Sequence, residues 1–68
     1  MGSTYQPHEQ RVVDEHGELM VRLHKLRTFI DGNPIFDTLP QQEQLRLQAQ
    51  EAVMTAYATI LTARIAAF

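Results

Sequence analysis

A chain of 68 residues holds one domain at most, and a domain this small buries too little surface to be robust alone unless it is stapled or oligomeric. It has no cysteine, which excludes disulfides and a thiolate zinc site. Eight acidic residues against six basic ones, a net charge of −2, leave no polycationic footprint for duplex nucleic acid. The histidines His8, His16 and His24 recur at eight-residue spacing, which makes neither an HxxxH nor an HxxH pair, so no metal is expected. The longest apolar stretch is broken by Arg64 and three threonines, and no membrane span is expected.

Residues 1–7 read as a flexible tail and 8–68 as a helical hairpin. Helix 1 is predicted over about 8–30. Pro7 suits a first turn, where its missing N–H costs nothing. Acids come early (Glu9, Asp14, Glu15, Glu18) and bases late (Arg22, Lys25, Arg27), the order that the helix macrodipole favours. Val12, His16, Leu19, Leu23, Leu26 and Ile30 follow steps of four and three, a heptad seam for packing on another helix. Gly17 interrupts this helix, and close approach of another backbone is its expected reason. His24, Lys25, Arg22 and Arg27 read as a solvated basic end.

The turn is predicted over 31–39. Gly32 suits a left-handed helix end, and Asn33-Pro34 starts a turn in which Pro34 to Asp37 can form one short helical turn. Ile35 and Phe36 are too apolar for a free loop and are expected to plug the end of the hairpin. Helix 2 is predicted over about 40–68, with Pro40 in its first turn and Asp37 or Thr38 as its cap. Its second half is apolar on more than one side. Val53, Tyr57, Ile60, Leu61 and Phe68 surround Arg64, and a small-residue strip of Ala49, Ala52, Ala56 and Ala63 runs beside them. Thr55, Thr59 and Thr62 mark the wettest side. The fold class is therefore all-α, a two-helix antiparallel hairpin assembling into a homo-oligomeric helical bundle. The expected oligomer interface comprises Ala49, Ala52, Val53, Ala56, Ile60, Ala63 and Phe68.

Glycine-rich phosphate loops, GxSxG and paired-carboxylate signatures are all missing, so neither an enzyme nor a cofactor is expected. In an antiparallel hairpin the end of helix 2 lies beside the start of helix 1. Arg11, His16, Tyr57 and Arg64 then form a candidate anion or nucleotide site, since arginines at a helix N-terminus cradle anions and tyrosine stacks on a base. The competing reading of Arg64 is an ion pair with Asp14, Glu15 or Glu18, in the same chain or a neighbour's. The competing reading of His16 is a hydrogen-bonded seam histidine.

The run Arg11-Val-Val-Asp-Glu-His-Gly-Glu-Leu19, followed by Leu23, Leu26, Phe29-Ile30, Phe36, Leu39, Glu43, Leu45, Gln48, Met54, Tyr57, Leu61 and Arg64-Ile65, resembles a family of small helical-hairpin proteins of tailed phages, related to a crAss-like-phage protein. His16-Gly17 departs from that pattern, where a charged helix former is commoner. The resemblance implies a phage accessory protein acting in the host bacterial cytoplasm. By analogy with phage strategy, the expected function is a sponge. It would hold an anionic nucleotide-type immune signal, a cyclic nucleotide or an ADP-ribose derivative, between protomers. The alternative is a helical interaction module that inhibits or adapts a host or phage protein.

Overall fold

The computed structural model describes residues 4–68. Among these, the chain forms α1 (Pro7–Gly32), α2 (Pro34–Thr38) and α3 (Gln41–Ala66), with no strand. It is an elongated rod of 48 × 21 × 14 Å, whose long dimension is set by the two long helices lying side by side. Arg27 reaches Thr55, while His16, earlier in α1, reaches Thr62, later in α3. The two helices are therefore antiparallel.

α1 begins where Pro7 needs no donor partner, and the Gln6 N–H is held by the Glu9 carboxylate at 2.7 Å. Residues 1–3 of the expected tail lie outside the described residues. Tyr5 is packed edge-on against Phe68, with ring centroids 6.0 Å apart, so the two ends of the hairpin meet there. At its other end α1 runs through Gly32. That glycine does not take the left-handed conformation expected of it, since no glycine among the described residues has a positive φ. Asn33 leaves the helix instead, with extended backbone at ψ 119°. The proline that follows disfavours the helical conformation at Asn33 and so supplies the stop that Gly32 was expected to give.

The turn is a helix in its own right, so the hairpin has three helices rather than two. The Asn33 side chain accepts from the Ile35 N–H at 2.9 Å and caps α2. Only one of the two apolar residues in the turn acts as a plug. Phe36 is buried and meets the Phe29 ring edge-on at 6.0 Å, whereas Ile35 is exposed. In a helix adjacent residues point about 100° apart, so both cannot face the hairpin. α3 starts after Pro40, which occupies the cap position itself, and neither Asp37 nor Thr38 caps it. The Thr38 hydroxyl donates to the Ile35 carbonyl within α2, and the Gln44 side chain donates to the Leu39 carbonyl.

The core is a single cluster of Val12, Leu19, Leu23, Ala58 and Leu61, with Met54 and Ile65 packed against it. The heptad seam of α1 is the face that points inward, and Leu26 and Ile30 extend it half-buried. On α3 the inward face is Met54, Ala58, Leu61 and Ile65, spaced four, three and four residues apart. Gly17 is exposed, and a methyl group added there would meet nothing within 4 Å, so no backbone of this chain accounts for it. Gly17→Ala is expected to stabilise the helix by about 1 kcal/mol and raise Tm by roughly 4–8 °C, read by thermal circular dichroism. A fall in Tm, or a change in oligomer size, would instead place a second chain against Gly17.

Candidate functional site

Of the four residues predicted to form an anion site, His16 is half-buried and the other three are exposed. His16 is half-buried on the α3-facing side of α1, with Nε2 3.0 Å from the Thr62 hydroxyl. Arg11 lies five positions earlier, well over a third of a turn round the helix, and is exposed. Tyr57 and Arg64 are both exposed on α3, away from the core face. Among the described residues Arg11 and Arg64 make no ion pair or side-chain hydrogen bond, so the expected bond from Arg64 to Asp14, Glu15 or Glu18 is not formed within the chain. Arg64→Ala is accordingly expected to change the stability of the single hairpin by less than about 0.5 kcal/mol, as for an ordinary surface substitution. A larger loss in chemical denaturation would place a carboxylate of another protomer on it.

The expected interface residues lie on the far side of α3. At 100° per residue, Ala49, Ala52, Ala56, Ile60 and Ala63 project roughly opposite Ala58 and Leu61. All five are exposed, and Val53 beside them keeps 68 % of its surface in solvent and Ile60 57 %. α3 is thus apolar on two opposite faces, one used by the hairpin and one unpartnered. Phe68 belongs partly to the chain's own end contact with Tyr5.

Between those two faces, the flank that carries the threonines closes on α1 to form a groove of about 420 Å³. Leu23 and Ala58 form its floor and Met20 one wall. Arg27, predicted to be part of a solvated helix end, instead crosses to α3. Its Nη2 donates to the Thr55 hydroxyl at 2.9 Å, and its Nε stands 3.9 Å from the Glu51 carboxylate. The hydroxyls of Thr55, Thr59 and Thr62 each donate to the carbonyl four residues earlier, at 2.8, 3.0 and 2.9 Å. A hydroxyl has one proton, so each oxygen can then only accept from the groove side. Thr62 and His16 Nε2 share a hydrogen bond at 3.0 Å.

A second hollow, of about 610 Å³, lies at the turn end between His24, Lys25, Phe29 and Pro34. It sits at the carbonyl end of α1, where the macrodipole is negative and opposes an anion. Among the described residues no cluster of histidine and carboxylate side chains is placed to hold a metal, and no helix is long and apolar enough to cross a membrane. Sequence reasoning passed over the groove, although Thr55, Thr59 and Thr62 share a flank by their spacing. A hydroxyl row reads as a solvated side until its partner helix is placed.

A family model described as Sequestin matches residues 6–67, all three helices and the turn between them. The chain belongs to the Sequestin family. Nothing among curated proteins or solved structures matches it. The family's span includes both the groove and the unpartnered face of α3.

Proposed function

We propose that this Sequestin-family chain binds and sequesters a small anionic nucleotide-type molecule, a host immune signal, in pockets between the protomers of a homo-oligomer. It acts as a phage accessory protein in the host bacterial cytoplasm and releases its ligand chemically unchanged, as a binding protein and not an enzyme. The observation that carries the reading is membership of a family whose name denotes sequestration, over nearly the whole chain. Two features of the chain support it. Arg11 and Arg64 are cations that no carboxylate among the described residues neutralises, and the outward face of α3 leaves Val53 and Ile60 largely in solvent, the kind of apolar patch that marks an interface. The pocket draws Arg11, His16, Tyr57 and Arg64 from neighbouring copies.

The test is calorimetric titration and thermal shift against cyclic dinucleotides, cyclic mononucleotides and ADP-ribose derivatives, with recovery of the ligand afterwards. Saturable binding with intact ligand recovered supports sequestration. A protein that binds none of them, or that converts one, sinks it. The unpartnered α3 face equally supports a second reading, a helical module that inhibits or adapts a host or phage protein. That reading gains if no nucleotide binds and the protein is monomeric.

A further inference from the structure

We infer that the α1–α3 groove is a ligand subsite built within one chain, and that it takes a flat heterocycle carrying an exocyclic N–H donor, with an acidic group held at Arg27. The inference rests on the sequestering reading and names the part of the ligand that a single hairpin recognises.

The hydrogen-bond inventory of the groove is nearly closed, and the open positions define the ligand. Thr55 accepts from Arg27, and Thr62 shares a hydrogen bond with His16 Nε2. Thr59, between them, donates to the Thr55 carbonyl, and its oxygen accepts from nothing among the described residues. The Thr59 oxygen is therefore an acceptor without a partner on the groove lining, which a ligand N–H satisfies and a carbonyl does not. Arg27 has five N–H donors. One is used on Thr55, and the Glu51 carboxylate stands 3.9 Å from another, beyond hydrogen-bonding distance. The remaining donors match a carboxylate or phosphate oxygen.

The spacing fits both groups on one small molecule. Thr59 and Thr55 are one helical turn apart, about 6 Å along α3, so a ring at Thr59 brings an acidic substituent to Arg27 through a short linker. The floor between them, Leu23 and Ala58, is apolar and carries no polar side-chain atom, which suits the face of a ring. Met20 adds a polarisable wall of the kind that packs well on aromatic systems. Among the described residues Glu51 is the carboxylate within ion-pair distance of Arg27, and an acidic ligand displaces it from a loose, partly exposed pair worth little.

The test is titration of AMP, cyclic di-AMP and ADP-ribose, each paired with its unsubstituted-purine analogue, in which a hydrogen atom replaces the exocyclic amine and no new N–H is gained. Wild-type protein is expected to bind at least one adenine member, and its purine partner about 3–10-fold more weakly, the effect of one neutral hydrogen bond. Thr59→Val keeps the shape and removes the acceptor. It is expected to weaken the adenine ligand by the same factor and leave the purine analogue unchanged. Arg27→Gln is expected to abolish binding, and Glu51→Gln to strengthen it several-fold, with melting temperatures recorded for both. Wild-type binding that Thr59→Val leaves untouched overturns the groove while the sequestering reading stands. Binding by none of the probes removes both. Adenine and unsubstituted purine bound equally well by wild type also overturns the inference.

Discussion

Leu61→Ala is expected to remove a large share of the stability of the hairpin. Leu61 is fully buried, 0 % exposed, at the centre of a cluster with Val12, Leu19, Leu23 and Ala58. Truncating such a leucine costs about 2–5 kcal/mol, because the lost transfer free energy is joined by a cavity that a rigid two-helix contact cannot close. A chain of this length has roughly 3–10 kcal/mol to lose in total. At about 4–8 °C per kcal/mol for a domain of this size, Tm should fall by at least about 10 °C in thermal circular dichroism. Leu45→Ala is the control. Leu45 is the same residue type on the same helix but more than half exposed, and its truncation should cost less than about 0.5 kcal/mol. Equal losses at the two positions would contradict the packing described.

Ala56→Glu is expected to convert the proposed oligomer into folded monomers. Ala56 sits in the middle of the outward apolar face of α3 between Ala52, Val53 and Ile60, where a single chain leaves it in solvent. A glutamate there costs the isolated hairpin little. Within a contact between copies it buries a carboxylate with no cation on that strip, a penalty of several kcal/mol. Each 1.4 kcal/mol is tenfold in a dissociation constant, so association should weaken by about a hundredfold or more. Sedimentation at micromolar concentration should give a species larger than the monomer for wild type and a monomer for the variant, with helicity retained. A monomeric wild-type protein would remove the proposed interface. A variant that still associates would move the interface to another face.

Which parts of the chain are helical was legible in residue order. The steps of four and three from Val12 to Ile30 mark a face of α1 whatever lies against it, and Asn33-Pro34 interrupts a helix by steric rules that act on neighbours alone. Those are local effects, and the sequence by itself determined them. It also determined that α3 is apolar on more than one side. What it left open was which side turns inward. Ala58 and Leu61 on one face, and Ala56 and Ile60 on the other, are chemically alike, and the choice depends on how the turn sets one helix against the other. The same geometry decided that Phe36 is inside and Ile35 outside, though they are adjacent and equally apolar.

The candidate site depended on tertiary structure still more. Arg11, His16, Tyr57 and Arg64 were grouped because an antiparallel hairpin brings the start of α1 to the end of α3. Tyr57 and Arg64, seven residues apart, share one flank of α3, but nearness along the rod says nothing about direction around each helix, so the sequence did not decide how Arg11 and His16 stand to them. Arg27 looked like one more base at a helix end until α3 placed Thr55 and Glu51 beside it. The threonine flank stays largely in solvent, with Thr59 and Thr62 exposed and Thr55 half-buried, and what the sequence left open is that α1 runs along it. A hydrogen-bonding groove is made by two helices at one register, and neither helix carries that register in its own periodicity.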